Sequence, residues 1–148
     1  MVSARPIIIA GAGSIGCFVG GMLASGGRSV GLLARPRVVA EIERHDLRVS
    51  SFEGVDRCIP AGRLMLATDA AVLADAAIVL VTVKSADTAT MADDIARHAP
   101  PDAVVVSLQN GVSNVGILRE RLPGRQVLSG MVPFNVIALG EGRYHRAT

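Results

Sequence analysis

Three glycines at 11, 13 and 16, Arg35, Lys84 and Asn110 are the residues of this chain whose types and spacing best support chemistry. Residues 6–16 read Pro-Ile-Ile-Ile-Ala-Gly-Ala-Gly-Ser-Ile-Gly, a short apolar strand running straight into G-x-G-x-x-G. The pattern that follows is helical, with Ile15, Val19, Met22 and Leu23 on one face. Strand, glycine turn and helix in that order cradle the pyrophosphate of a dinucleotide. Gly11 allows the tight turn, Gly13 keeps side-chain atoms away from the phosphate, and Gly16 lets the helix lie close to the strand. The helix beginning near Ser14 turns its free N–H groups and positive dipole end toward the phosphates. Gly11, Ala12, Gly13, Ser14, Ile15 and Gly16 are therefore the expected cofactor-binding loop.

The next strand, Ser29 to Leu33, selects between cofactors. An NAD site usually closes this strand with Asp or Glu on the ribose 2′-hydroxyl. Here the first acid is Glu41, and the strand ends Ala34-Arg35-Pro36-Arg37. A guanidinium at that point suits a 2′-phosphate through charge-assisted hydrogen bonds. Pro36 fits the first turn of a helix and would fix the angle of Arg35. The reading is NADP, with Arg35 as the contact and Arg37 open between phosphate ligand and surface charge.

In open parallel sheets ligands bind beyond the carboxyl ends of the strands, and Lys84 and Asn110 fall at two such ends. Lys84 could meet an anionic substrate or a phosphate, or simply begin a helix in solvent. Asn110-Gly111 is also an ordinary turn pair. The residues alone leave both open. His45, His98 and His145 are scattered without carboxylates at ligand spacing, so no metal is expected. Asp93 and Asp94 point in different directions from one helix, and Ser107 and Ser113 lack a nucleophile elbow.

The elements that must position these residues alternate strand and helix, the mark of an α/β Rossmann-type doubly wound, mostly parallel sheet. A helix is expected from Pro36 to His45, short strands at 47–49 and 57–59, another strand at 64–67 and an Ala-rich helix over about 69–74. Ala77 to Val83 is the clearest central strand, followed by a helix from Ser85 to Ala99. A strand over 103–108, a helix to about Leu122, a strand over 127–132 and a hairpin over 135–144 complete the chain.

With 148 residues this is one domain, 50% hydrophobic and only 19% charged, as strands buried on both faces require. The net charge of +2 is spread out, and with three Phe, one Tyr and no Trp there is no stacking platform for nucleic acid. No apolar run approaches a membrane span and no secretory leader is visible. The cysteines, Cys17 and Cys58, form no pair motif, and Cys17 reads as a small buried residue. The expected location is cytoplasmic.

Gly-Ala-Gly-Ser-Ile-Gly, Arg35, Val-Thr-Val-Lys-Ser-Ala-Asp-Thr (81–88), Ser-Leu-Gln-Asn-Gly-Val (107–112) and Gly-Met-Val-Pro-Phe-Asn (130–135) occur in this order. Together they resemble the N-terminal, NADP-binding domain of the ketopantoate reductase (2-dehydropantoate 2-reductase) family, over essentially the whole chain. The resemblance implies NADPH-dependent reduction of 2-dehydropantoate to pantoate, on the route to pantothenate and coenzyme A. It places Lys84 and Asn110 at the nicotinamide end, with Asn110 touching cofactor or substrate. Ala77 and Asp46 depart from the family, which often has Asp and Gly there; Asp tolerates a left-handed turn. The family's C-terminal helical domain, which supplies the catalytic lysine and a substrate-binding glutamate, has no counterpart here. The chain is thus expected to be a cofactor-binding fragment that binds NADPH and reduces ketopantoate poorly or not at all. Implied partners are a small-molecule 2-oxo acid, the docking helical domain and, as an option, a second copy in a homodimer. The alternatives are another 2-oxo acid reductase of the same two-domain plan, such as a D-mandelate-dehydrogenase-like protein, and a non-catalytic NADP sensor.

Overall fold

The computed structural model describes residues 4–148. Strand β1 (Ile7–Ala10) leads into α1 (Ser14–Ser25), then β2 (Val30–Leu33), α2 (Pro36–His45) and the antiparallel pair β3 (Leu47–Ser51) and β4 (Asp56–Ile59). Next come β5 (Leu64–Ala67), β6 (Ile78–Val81), α3 (Thr88–His98), β7 (Val104–Ser107), α4 (Ser113–Arg121) and β8 (Val127–Ser129). The hairpin of β9 (Val136–Gly140) and β10 (Arg143–Arg146) ends the chain.

Six parallel strands form the main sheet in the order β5-β2-β1-β6-β7-β8. The chain winds outward from β1 to one side and then to the other, so the crevice opens beside β1, where the direction of winding reverses. The apolar runs of β1, β6 and β7 are there because both faces of a parallel sheet are covered. Ile8 and Ile9, both fully buried, illustrate the alternation: Ile8 packs with Ile95 and Leu118 of α3 and α4, and Ile9 with Phe18 and Ile42 of α1 and α2.

A second, four-stranded sheet, β4-β3-β10-β9, covers the outer side of α1. The sequence suggests the hairpins but not their union, in which β10 runs parallel to β3. Helix α1 fits between the two sheets because it is lined with glycine. A Cβ on Gly20 would lie 2.8 Å from Leu32, and one on Gly21 2.5 Å from Val49.

Three expected elements differ. The Ala-rich segment is a 3-10 helix, Ala70–Asp75, started by Asp69, whose Oδ1 accepts from Ala71 N at 2.8 Å. The expected helix over 85–99 begins as a 3-10 turn, Ser85–Asp87, before α3. The strand over 127–132 stops at Ser129. Asp46 does adopt the left-handed region, φ 67°, and its side chain accepts from Ala61 N at 2.9 Å. No helix among the described residues is long and apolar enough to cross a membrane.

Candidate cofactor-binding site

The loop between β1 and α1 is held by the end of β2. Both Gly11 N and Ala12 N donate to Leu33 O at 2.9 Å. Gly11 has φ +84°, and a Cβ there would run into Val83. From the other side, Thr82 Oγ1 donates to Gly11 O at 3.1 Å. The loop is therefore pinned between β2 and β6, a role for Thr82 that the motif does not reveal.

Helix α1 begins without a capping side chain, because its N-cap is Gly13, and its first turn has no acid. Cys17 N makes the first helical bond, to Gly13 O at 2.8 Å. The N–H groups of Ser14, Ile15 and Gly16 consequently have no acceptor among the described residues. A Cβ on Gly13 would meet nothing within 4 Å, whereas one on Gly16 would lie 2.6 Å from Thr82 Oγ1 and 2.8 Å from Ile9 Cγ2. Gly13 thus leaves open space in front of uncapped N–H groups, and Gly16 is filled against the sheet. The first arrangement suits an anion; the second is packing alone.

These groups open into a cleft of ≈ 1020 Å³ whose wall includes Gly11, Ala12, Gly13, Ser14 and Ile15, with Arg35 on one side and Lys84 on the other. Arg35 is the extended N-cap residue of α2, followed by Pro36 at the first helical position. It is exposed and has no carboxylate partner among the described residues. Arg37 differs: its Nη1 lies 3.6 Å from Glu41 Oε2, and Glu41 Oε1 accepts from Gly142 N at 2.8 Å. Both arginines line the cleft, and of the two Arg35 is the one with no carboxylate within 4 Å among the described residues.

Residues 7–148 match the family described as Ketopantoate reductase PanE/ApbA. The chain belongs to the ketopantoate reductase family. It is 39% identical over 125 residues to a 2-dehydropantoate 2-reductase of Halobacterium salinarum, covering 84% of this chain and 40% of that protein. A similar protein of Archaeoglobus fulgidus is 34% identical, with 90% and 44% covered. Among solved structures, a PanE/ApbA family ketopantoate reductase from Ralstonia eutropha superposes with a TM-score of 0.86 at 35% identity, over 95% of this chain and 46% of that one. A D-mandelate dehydrogenase solved with NADH and anilino(oxo)acetate shares the fold at TM-score 0.76 and 24% identity. The chain spans less than half the length of these relatives.

In this ketopantoate reductase family chain Asn114 ties together the two segments expected at the nicotinamide end, donating to Ser85 Oγ at 3.0 Å and to Asn110 O at 2.7 Å, but of the two expected residues only Lys84 lines the cleft. Lys84 is exposed on the cleft wall, without an ion pair among the described residues. Asn110 lies outside that wall. Its carbonyl accepts from Asn114 Nδ2 at 2.7 Å, and its side-chain amide has no partner among the described residues. Gly16 is likewise behind the wall, packed as described. Ser107, buried, hydrogen-bonds Gln109 and is scaffold. Asp93 binds Arg121 at 3.1 Å, away from Asp94, which reaches the cleft.

Behind the loop, Cys17 is fully buried with Sγ 3.6 Å from Ala12 O. Burial pushes its thiol up to about 12 and also raises the Tyr144 hydroxyl above its ordinary value. Tyr144, Ala138 and Gly140 bring the second sheet to the cleft wall, a contribution that strands β9 and β10 do not advertise in sequence. No group of three or more His, Cys, Asp or Glu among the described residues could hold a metal.

Proposed function

We propose that this chain is the NADPH-binding domain of a 2-dehydropantoate 2-reductase, an oxidoreductase that converts 2-dehydropantoate to pantoate for pantothenate and coenzyme A. The observation that carries the reading is the unpaired Arg35 at the end of β2, beside a glycine loop with three uncapped N–H groups. A dinucleotide 2′-phosphate needs the first and its pyrophosphate the second. The family match and the 2-dehydropantoate 2-reductase names of the relatives support the substrate.

When bound, the nicotinamide supplies a hydride for the 2-oxo carbon of the substrate. This chain's residues bind and orient. The Ser14 and Ile15 N–H groups would hold the pyrophosphate, and Arg35 the 2′-phosphate. The strand order puts the ends of β6 and β7, with Lys84 and Asn110, across the glycine loop from Arg35. Those two residues would flank the nicotinamide. We assign the proton for the new hydroxyl to the second domain characteristic of the family.

Separate titrations of NADPH and NADH into the chain, followed by reduced-nicotinamide fluorescence, test the reading. NADPH binding at least about tenfold tighter, a difference of about 1.4 kcal/mol, is expected. Equal affinities, or turnover of ketopantoate by these 148 residues alone at about 1–10³ per second, would overturn it.

A further inference from the structure

We propose that Thr88 and Asn114 are positioning residues that lock the Lys84 and Asn110 loops into one rigid unit at the nicotinamide end; the inference rests on the NADPH-binding reading. Thr88 is fully buried and Asn114 is 1% exposed. Asn114 Nδ2 spends its two hydrogens on Ser85 Oγ at 3.0 Å and Asn110 O at 2.7 Å. Asn114 Oδ1 accepts the Thr88 hydroxyl at 3.1 Å. With its hydrogen committed, Thr88 Oγ1 accepts from Gln109 Nε2 at 2.8 Å, and the other hydrogen of that amide goes to Val83 O at 3.0 Å. Gln109 Oε1 then accepts from Ser107 Oγ at 3.0 Å.

Every hydrogen in this chain of bonds has one direction. Flipping Gln109 would turn its Oε1 onto Val83 O, and flipping Asn114 would turn its Oδ1 onto Asn110 O, acceptor against acceptor in each case, so the network has a single arrangement. It joins the ends of β6 and β7 to the starts of α3 and α4. Lys84 lies between Val83 and Ser85, both of which are held. Asn110 is held by its carbonyl, which leaves its side-chain amide free to turn to a ligand.

The test compares two ligands on the 148-residue chain: NADPH, and adenosine 2′,5′-bisphosphate, which has the adenosine and 2′-phosphate but no nicotinamide. In Thr88→Val, which keeps the shape and removes the hydroxyl, NADPH is expected to bind about tenfold more weakly. The bisphosphate should stay within about twofold. Thr88→Ser should restore NADPH affinity. A parallel loss on both ligands would show a merely structural role and overturn the proposal, as would no loss on either. If Thr88→Val shows no cooperative melt, Ser85→Ala replaces it. That change cuts only the exposed end of the network and should weaken NADPH about threefold with the bisphosphate unaffected; unchanged NADPH binding would again overturn the proposal. Wild-type protein that binds neither ligand refutes the NADPH reading and the proposal together. Wild-type protein that binds both, with indifferent variants, refutes the positioning role alone.

Discussion

Arg35→Asp should invert the cofactor preference of this chain, and its size can be worked from the geometry. Arg35 has no carboxylate partner to release and lies exposed at the start of α2. A hydrogen bond to a charged group is worth about 1.5–3 kcal/mol, and exposure argues for the lower half of that range. Arg35→Ala should therefore weaken NADPH about 10- to 30-fold and leave NADH nearly unchanged. The reversed charge adds repulsion of about 1 kcal/mol per unit charge at about 4 Å in water. Since a 2′-phosphate carries about −2, Arg35→Asp should cost about 100-fold or more. Reduced-nicotinamide fluorescence reads this directly, because the chain has no Trp. Screening supplies an internal check: the NADPH preference should shrink between 0.05 and 0.5 M salt, as the Debye length falls below about 5 Å. An NADPH-to-NADH ratio unchanged in Arg35→Asp, with the melt intact, would refute the reasoning. So would a ratio that collapses only in Arg37→Ala, since that guanidinium already faces Glu41.

Other consequences separate packing from binding. Gly16→Ala forces a methyl against Thr82 and Ile9 and should lower stability by about 1–3 kcal/mol, seen as a lower Tm. Gly13→Ala meets no neighbour and should keep its stability within about 0.5 kcal/mol of wild type while weakening the dinucleotide at least about tenfold. A thiol reagent at pH 8 should modify one cysteine quickly in the native protein, exposed Cys58, and Cys17 only after denaturation. In the folded protein burial pushes the Cys17 thiol up to about 12, so at pH 8 it is all but fully protonated. Acid should weaken the fold through Asp56 and Asp102, whose carboxyls are held below their ordinary values by hydrogen bonds from Arg48 and Arg5. Their contribution is present above the unfolded value near 4 and is lost as pH falls through the folded one. The Tm drop between pH 6 and pH 3 should therefore be smaller in Asp56→Asn/Asp102→Asn, and an identical drop would refute these pairs as acid-sensitive contacts.

What was legible in the sequence was short in range. β1, β6 and β7 stand out because strands covered on both faces need uninterrupted apolar runs. The glycine loop stands out because turn, open approach and close packing each demand the same residue for a different reason. Helix α3 was misplaced at its start because its first turn answers to distant groups. Thr88 is held by Gln109 and Asn114, which lie 21 and 26 residues away. The periodicity of 85–99 contains none of that. Likewise the second sheet pairs β3 with a strand some 95 residues later, at the spacing of Ser50 and His145. Alternating apolar residues announce that each strand has a buried face, not which strand will lie beside it.

The two arginines at the end of β2 carry the same point into function. Arg35 and Arg37 are the same residue type, two positions apart, flanking a proline at the start of one helix. Local chemistry cannot rank them, and the sequence alone leaves Arg37 open. What ranks them is Glu41, and what holds Glu41 is the N–H of Gly142, 101 residues away in the turn between β9 and β10. Gly142 itself has φ +74° and no room for a side chain beside Asp46. The second sheet thus does more than cover α1. By holding Glu41 beside Arg37 it leaves one guanidinium compensated and the other free, and so selects the residue on which the proposed NADPH preference rests. Glu41→Gln should then raise the effect of Arg37→Ala on NADPH affinity, and strict additivity of the two changes would contradict the coupling.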